Sequence, residues 1–279
     1  MRQISARAIT EAIKEAAIRA NLELGEDMVA ALRRARNHEE SPVGKELLGR
    51  LIENAQLAKT EEIPLCQDTG LVVIFAQMGQ DVMIVDGGFR EAIEEGVRMG
   101  YRDGFLRKSL CHPFTRQNTG DNTPVIIHLD LVPGDQLKLW VVPKGGGSEN
   151  MSALFMLPPS AGWQGVKEKI VQTVVNAGPN PCPPTVVGVG IGGNFEQCAL
   201  LAKKAILRPV SAPNPDPQLH AMETELLEEI NKSGVGPGGL GGRITSLAVH
   251  ILMMPCHIAS LPLAVNIQCH ANRHKEIVL

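Results

Sequence analysis

Aromatic residues are scarce in this chain. Its 279 residues include one Tyr, two Trp and six Phe, which together make up 3% of the sequence. Proteins that bind single-stranded nucleic acids commonly stack the bases on aromatic side chains, so the shortage argues against that function. The core must be built from Val, Ile, Leu, Ala and Met instead.

The chain also lacks an excess of positive charge and a long apolar segment. Lys and Arg total 27 against 30 Asp and Glu, a net charge of -3, which disfavours nucleic acid or an anionic membrane as partner. We find no transmembrane segment, and the first residues, Met-Arg-Gln-Ile-Ser, lack the apolar stretch of a secretory signal. We therefore expect a cytoplasmic protein that binds any anion at a local site.

Closely spaced cysteine pairs are absent too, although there are six cysteines. Structural zinc sites and ferredoxin clusters usually contain such pairs, so ligands here could converge only after the whole domain folds. Cys66, Cys182 and Cys269 stand beside Pro, Gly, Gln or Asn, which is typical of loops. Three converging thiolates would favour an iron-sulfur cluster or zinc, whereas cysteine identity alone is equally compatible with ordinary buried thiols. The remaining cysteines lack this setting, and we interpret them as ordinary thiols: Cys111, Cys198 and Cys256.

Apolar residues at helical spacing predict helices in the first 59 residues. Ser41 and Pro42 are typical of the N-cap and first position of a third helix. Later, short β-rich runs and helical stretches are interleaved without strict βαβ repetition. The predicted class is α+β, with an N-terminal helical segment followed by a mixed, largely antiparallel sheet with packed helices. We expect one domain over residues 1–279, with a helical lobe at about 1–59 and an α+β lobe at about 60–279.

Two strand pairs and one buried strand are predicted. Residues 71–76 and 82–85 form the first pair, and residues 125–131 and 136–142 flank Pro-Gly-Asp as the clearest hairpin. Residues 185–191 form the buried strand, followed by a helix from about residue 194 to 207. The segment 234–242 is too rich in glycine to be regular.

Four features resemble one known family. They are Cys-Gln-Asp-Thr-Gly at 66–70, Lys-Gly-Gly-Gly-Ser at 144–148, Ala-Gly-Pro-Asn-Pro-Cys-Pro-Pro at 177–184, and Cys269. The chain resembles the cluster-binding part of class I fumarases over nearly its whole length, in particular the α subunit of two-subunit fumarate hydratases. L-tartrate dehydratase α subunits are close relatives of that form.

The resemblance implies that Cys66, Cys182 and Cys269 hold a 4Fe-4S cluster. Three protein ligands would leave one iron with an open position for substrate and water, as in open catalytic zinc sites. In the family, that chemistry is the hydro-lyase reaction that converts fumarate into (S)-malate in the tricarboxylic acid cycle.

The resemblance also implies a set of substrate-binding residues: Gln67, Asp68, Arg107 and Gly147. Arg107 suits a carboxylate because guanidinium binds it in a bidentate manner, and glycine lets backbone N–H groups approach an anion. Asp68 and His257 are possible catalytic residues. Without the resemblance, the ordinary interpretation of each residue is preferred. Asp68 would belong to a turn, Arg107 would be an exposed arginine after a helix, the triple glycine would be a flexible loop, and His257 would be a core histidine. Three C-terminal residues are interpreted as surface or subunit-contact positions: His270, His274 and Lys275.

The resemblance implies a partner. One-chain fumarases continue into a second domain that completes the active site, whereas this chain stops at Leu279. We therefore expect a separate β subunit, in an α2β2 assembly, and a small dicarboxylate substrate. The alternative within the same chemistry is an L-tartrate dehydratase α subunit, although Lys144 and Ser148 look more like fumarase. A non-catalytic metal-binding structural protein is a third reading, and it predicts a fourth protein ligand.

Overall fold

The computed structural model describes residues 1–279 as two compact units. Unit 1 comprises Met1–Leu24, Ala55–Gly146 and Arg273–Leu279, and unit 2 comprises Gly25–Asn54 and Gly147–Asn272. The helices are α1 (Ala6–Leu22), α2 (Glu26–His38), α3 (Pro42–Thr60), α4 (Phe89–Asp103), α5 (Gly146–Glu149), α6 (Gly162–Ala177), α7 (Phe195–Ala205) and α8 (Pro217–Asn231). The strands are β1 (Arg2–Ser5), β2 (Leu71–Gly79), β3 (Val82–Val85), β4 (Ile126–Val132), β5 (Leu137–Lys144), β6 (Ala153–Leu157), β7 (Thr185–Gly193), β8 (Ser246–Cys256), β9 (Leu261–Gln268) and β10 (Lys275–Val278).

The predicted α+β class is confirmed. Antiparallel pairing joins β5 to β10, β2 to β5, β6 to β9 and β7 to β9. Parallel pairing joins β1 to β3, β2 to β4 and β7 to β8. The sheets are therefore mixed and mainly antiparallel, with helices packed on them. No helix is both long enough and apolar enough to cross a membrane.

The main sheet of unit 1 has the order β10-β5-β2-β4. Both predicted strand pairs are wrong, because β2 lies between β4 and β5, and β3 pairs with β1. The reason is burial: β2 is buried along most of its length and so takes a central position. The Pro-Gly-Asp segment passes the end of β2, where the N–H of Asp81 donates to the carbonyl of Gly134 at 3.0 Å.

Helix α1 packs on this sheet, and α4 packs on α1. Ser5 caps α1 by accepting a hydrogen bond from the N–H of Ala8 at 3.2 Å. Gly96 of α4 lies directly on α1, since an added Cβ would stand 2.7 Å from the Cβ of Ile13. The predicted start of α3 is confirmed: the helix begins at Pro42, and Ser41 Oγ accepts from the N–H of Gly44 at 3.2 Å.

The sheet of unit 2 has the order β6-β9-β7-β8, and it packs against helices α6, α7 and α8. The predicted buried strand is β7, and the predicted helix after it is α7. Two glycines of β7 let α7 approach closely, because a Cβ on Gly188 or Gly190 would stand 2.1 or 2.0 Å from a carbonyl oxygen of α7.

The antiparallel pairing of β7 and β9 brings the start of β7 beside the end of β9. Val186 is paired with Gln268, so the residues just before β7 and just after β9 lie at the same end of the strands. At the opposite end of the strands, Gly193 is paired with Cys256 at the end of β8. Two of the cysteines singled out in the sequence, Cys182 and Cys269, lie at the first of these ends.

Candidate active site

Cys66 lies in unit 1, on the irregular segment that joins α3 to β2. The buried Leu65 beside it anchors the segment by donating its N–H to the carbonyl of Asn21 at 2.8 Å. The sulfur of Cys66 accepts a hydrogen bond from the N–H of Asp68 at 3.4 Å and contacts Gln67 Oε1 at 3.3 Å. The sulfur therefore lies in a polar loop at a half-buried position, where a metal group could reach it.

The carboxylate of Asp68 holds two glycine-containing segments together. Oδ1 accepts from the N–H of Gly70 at 3.0 Å and from Ser109 Oγ at 3.5 Å. Oδ2 accepts from the N–H of Gly146 at 2.7 Å. Charge-assisted hydrogen bonds of this kind are stronger than neutral ones. Asp68 therefore orders the Cys66 loop and the start of the triple-glycine segment, a role that sequence analysis did not predict.

A buried phenol also supports the Cys66 loop. Tyr101 of α4 donates its hydroxyl to the carbonyls of Thr69 and Gly70, at 2.7 and 3.0 Å. Burial raises the pKa of Tyr101 well above its usual value of 10.0, so the phenol stays a neutral donor. Asn122 adds a second donor to the carbonyl of Gly70 at 3.2 Å.

Arg107 is exposed and close to this loop in unit 1. Its carbonyl accepts a hydrogen bond from Thr69 Oγ1 at 2.6 Å, which fixes the backbone at this point. Its guanidinium makes no hydrogen bond or ion pair with another part of the chain. The side chain is therefore available for a ligand carboxylate, as is the exposed amide of Gln67.

Sequence analysis missed Arg273, which is 4% exposed. Its guanidinium donates to the carbonyl of Asp68, so the C-terminal segment of unit 1 supports the Cys66 loop from a third direction. Its only sequence signal was its place four residues after Cys269. The neighbouring Lys275 forms an ion pair with Glu23 at 3.1 Å.

Cys182 and Cys269 belong to unit 2 and lie on neighbouring loops. The carbonyl of Cys182 accepts hydrogen bonds from the N–H of His270 at 3.5 Å and from its Nδ1 at 3.0 Å. Cys182 has a φ of 55°, in the left-handed region that non-glycine residues rarely occupy. Such local strain is typical of functional positions that the surrounding structure holds in place.

Gly147 lies beside the same loop. A Cβ added to it would stand 3.5 Å from the carbonyl oxygen of Asn180, two residues before Cys182. The turn α5 that carries Gly147 is tied to β9, because Glu149 Oε2 accepts from Asn266 Nδ2 at 3.0 Å. Unit 2 therefore brings three of the predicted site residues together: Gly147, Cys182 and Cys269.

His257 lies elsewhere in unit 2. It follows β8 in an exposed turn, and its Nδ1 accepts from the N–H of Ala259 at 3.1 Å. Strand β7 rises by about 3.3 Å per residue and so spans about 26 Å from Thr185 to Gly193. His257 therefore lies at the opposite end of the strands from Cys182 and Cys269. The structure does not bring it together with them.

The donor set fits a thiolate-bound cluster in its chemistry. Cys66 and Cys269 are half-buried and Cys182 is exposed, as ligands on loops require. Within neither unit do three His, Cys, Asp or Glu side chains form a metal-binding group. Among the other cysteines, Cys198 is buried on α7, and burial raises the pKa of its thiol, which disfavours a thiolate ligand.

Comparisons with known proteins agree with the motifs. A family described as fumarate hydratase (Fumerase) matches residues 10–278. The chain is 43% identical over 271 residues to the "Putative L(+)-tartrate dehydratase subunit alpha" of Methanocaldococcus jannaschii, covering 95% of this chain and 94% of that protein. It is 30% identical over 282 residues to the L(+)-tartrate dehydratase subunit alpha of Escherichia coli O157:H7, covering 100% and 93% of the two chains.

A third relative is the L(+)-tartrate dehydratase subunit alpha of Escherichia coli strain UTI89. It is 31% identical over 276 residues, which cover 98% of this chain and 91% of that protein. The predicted resemblance to fumarate hydratase and tartrate dehydratase α subunits is confirmed, and the chain belongs to the fumarate hydratase (Fumerase) family of hydro-lyases.

Proposed function

We propose that this chain is the α subunit of an iron-sulfur hydro-lyase that catalyses the reversible hydration of fumarate to (S)-malate. The observation that carries the proposal is the pair of hydrogen bonds from His270 to the carbonyl of Cys182. These bonds hold the Cys182 and Cys269 loops side by side, as two ligands of one metal group require. Membership of the Fumerase family supports the reaction class.

The proposed ligands of a 4Fe-4S cluster are Cys66, Cys182 and Cys269. When bound, such a cluster supplies Lewis acidity, which activates a hydroxyl as leaving group and water as nucleophile. The backbone N–H of Asp68 donates to the sulfur of Cys66 at 3.4 Å and so fixes the position of that sulfur on its loop.

The proposed substrate contacts come from Gln67, Arg107 and Gly147. Arg107 presents a guanidinium with no partner within the chain, which suits bidentate binding of a carboxylate. Gln67 presents an exposed amide that can both donate and accept. A small dicarboxylate carries the groups that such donors recognise.

We propose that Asp68 acts mainly by position. Both of its carboxylate oxygens already accept hydrogen bonds, from Gly70, Ser109 and Gly146. It thereby fixes the backbone that carries Gln67 and the start of the triple-glycine segment. The suggestion that Asp68 or His257 moves a proton in the reaction stays a prediction.

We further propose a separate β subunit in an α2β2 assembly located in the cytoplasm. The support is that the relatives from Methanocaldococcus jannaschii and Escherichia coli are themselves named as α subunits. A β subunit would contribute the remaining substrate contacts.

L-tartrate dehydration is the second candidate, and the names of the relatives favour it. The sequence Lys-Gly-Gly-Gly-Ser at 144–148 favours fumarate instead. Malate and tartrate differ by one hydroxyl, and a site built to bind that hydroxyl would discriminate strongly between them.

The test is an anaerobic assay of the reconstituted α chain, alone and with β, on fumarate, (S)-malate and L-tartrate. We expect activity only with β, and a kcat/KM for fumarate about tenfold or more above that for L-tartrate. A larger kcat/KM for L-tartrate would replace the fumarate assignment with the tartrate one. Robust hydration by α alone would contradict the need for β.

A further inference from the structure

The glycine-rich loop (residues 234–242) contains none of the proposed site residues, yet it contacts the Cys182 loop within unit 2. The N–H of Gly238 donates to the carbonyl of Pro183 at 2.9 Å. Gly239 lies against Pro179, because an added Cβ would stand 2.5 Å from the Cβ of Pro179. Pro179 and Pro183 flank Cys182, so the glycine-rich loop supports both sides of this thiol.

A single buried carboxylate accepts hydrogen bonds from the backbone that directly follows the glycine-rich loop. Glu39, the residue after α2, is 1% exposed. Its Oε2 accepts from the N–H groups of Arg243 and Ile244 at 3.0 and 2.8 Å. Its Oε1 accepts from the N–H groups of Glu40 and Ser41 at 2.8 and 2.9 Å. Four backbone donors from two segments therefore meet on one side chain.

Glu39 has no cationic side chain as a partner, which is unusual for a buried carboxylate. Burial alone would raise its pKa, but the N–H donors, led by those of Arg243 and Ser41, hold that pKa below its usual value of 4.5. The charge is therefore stabilised by oriented backbone dipoles, as in an anion-binding nest.

Glycine is required on both sides of this carboxylate. An added Cβ would stand 2.7 Å from Glu39 Oε1 at Gly242 and 2.9 Å from Glu39 Cγ at Gly44. The φ of Gly242 is +133°, a conformation that other residues rarely adopt. The chain thus provides both the space and the backbone geometry that the contact needs.

We infer that Glu39 is a positioning residue for Cys182, acting through the glycine-rich loop. Hydrogen bonds join the Glu39 carboxylate to residues 243–244. The backbone then continues to Gly238 and Gly239, which contact the prolines beside Cys182. That this matters for a metal cluster rests on the proposed function, whereas the positioning itself does not.

The test compares Glu39→Gln with Glu40→Gln in the full chain without cluster, by hydrogen-deuterium exchange. Glu40 is a matched control because its carboxylate is exposed and binds only the Arg243 side chain. We expect exchange about tenfold faster in residues 178–185 and 236–244 for Glu39→Gln. We expect no change there for Glu40→Gln, or in β9 for either variant. Unchanged exchange in residues 178–185, or an equal increase throughout unit 2, would overturn the inference.

A second pair of variants covers the case in which Glu39→Gln does not fold. Gly239→Ala and Gly234→Ala impose similar backbone strain, with φ values of +73° and +75°, but only Gly239 faces a clash, with Pro179. Gly239→Ala should speed exchange in residues 178–185 and leave residues 39–44 protected, whereas Gly234→Ala should not affect residues 178–185. Equal exchange in residues 178–185 for the two variants would contradict the inference.

A separate measurement, of iron content, tests whether Glu39 affects cluster binding. After anaerobic reconstitution, Glu39→Gln should bind less than half as much iron per chain as Glu40→Gln, with a broadened electron paramagnetic resonance spectrum. Wild-type iron content in Glu39→Gln would break this link. Wild-type iron content in Cys182→Ser would instead refute the ligand assignment in the proposed function, and it would leave the positioning of the loop intact.

Discussion

The Cys66 loop of unit 1 receives hydrogen bonds from the buried phenol of Tyr101, besides its contacts with Asp68 and Arg273. In unit 2, the backbone that follows the glycine-rich loop donates hydrogen bonds to the buried carboxylate of Glu39. Tyr101 donates to two carbonyls of the first loop, and burial raises its pKa. Glu39 accepts from four N–H groups of unit 2, and its pKa is lowered. One support needs a neutral donor, and the other needs a charged acceptor.

This difference predicts a different response to acid. The phenol of Tyr101 stays neutral throughout the acid range, so its support of the Cys66 loop does not depend on pH there. In unit 2, Glu39 must be ionised, and the buried His250 must be neutral. The stabilisation from His250 should therefore be lost as the pH falls from 6.5 to about 4, whereas that from Tyr101 should not change.

The largest effect is expected when a proposed cluster ligand is replaced in either unit. Cys66→Ser and Cys182→Ser should both abolish cluster binding and lower activity about a thousandfold or more, because serine is a poor ligand for iron that prefers thiolate. Iron and sulfide analysis after anaerobic reconstitution measures the result. Cys111→Ser and Cys256→Ser are the controls and should keep wild-type iron. Full iron content in either ligand variant would show that the substituted cysteine is not a ligand of the cluster.

The next effect concerns substrate binding in unit 1. Arg107→Ala should lower kcat/KM about a thousandfold, since two charge-assisted hydrogen bonds of about 2 kcal/mol each would be lost. The melting temperature should not change, because the guanidinium has no partner within the chain. Arg107→Lys should recover part of the activity.

Arg116 provides the control for charge, since it is exposed and its guanidinium hydrogen bonds only to the carbonyl of Pro113. Arg116→Ala should leave kcat/KM within about twofold of wild type. An equal loss in both variants would mean that net charge, and not a specific contact, explains the effect.

The third prediction tests the acid response of unit 2. Burial, followed by the nearby Arg208, lowers the pKa of His250 from 6.5 to about 4, against the opposing effects of Glu223 and Asp27. The unfolded chain would take up this proton near pH 6.5, so the stabilisation is present above that pH and is lost towards pH 4. The loss attributable to His250 is about 3 kcal/mol. Chemical denaturation of the chain without cluster, at several pH values, measures it.

His250→Asn is the matching variant. Asparagine can still donate to the carbonyl of Ala205, which accepts from His250 Nδ1 at 3.2 Å, but it does not titrate. Its free energy of unfolding should fall much less between pH 6.5 and 4 than that of wild type. The same slope in both proteins would assign the acid response to other groups.

The local features of the two cysteine loops could be predicted from the sequence, but most of the residues that hold these loops in place could not. The loop setting of Cys66, Cys182 and Cys269 was visible in neighbouring Pro, Gly, Gln and Asn residues, and the start of α3 was visible in Ser41-Pro42. The order of β2, β4 and β5 was not visible, because a strand's partners depend on its burial in the folded sheet.

The supporting residues were hidden for a related reason. Glu39 follows a helix and would ordinarily be exposed, and only the fold brings the N–H groups of residues 243–244 to it. Arg273 is a single arginine in a polar tail, and its burial under Asp68 depends on contacts distant in sequence. Buried charges held by backbone groups leave no periodic pattern.

The smallest predicted effect concerns the support of the Cys66 loop. Tyr101→Phe removes the donor to the carbonyls of Thr69 and Gly70 and should cost about 1 kcal/mol of unfolding free energy. The cost is modest because Asn122 still donates to the carbonyl of Gly70. Chemical denaturation measures it, and the difference between the two proteins should stay constant from pH 8 to about pH 4, unlike that for His250→Asn.

Titration of the phenol checks the same contact directly, because the chain contains one Tyr. A folded-state pKa above the usual 10.0 means that this group stabilises the fold below pH 10.0 and that its contribution is lost above it. The near-ultraviolet tyrosinate band should thus appear only as the chain unfolds, whereas in guanidinium it should appear near its usual pH. Tyrosinate formation near pH 10.0 with native circular dichroism would show that the phenol is open to water, and the contrast between the neutral Tyr101 in unit 1 and the charged Glu39 in unit 2 would fail.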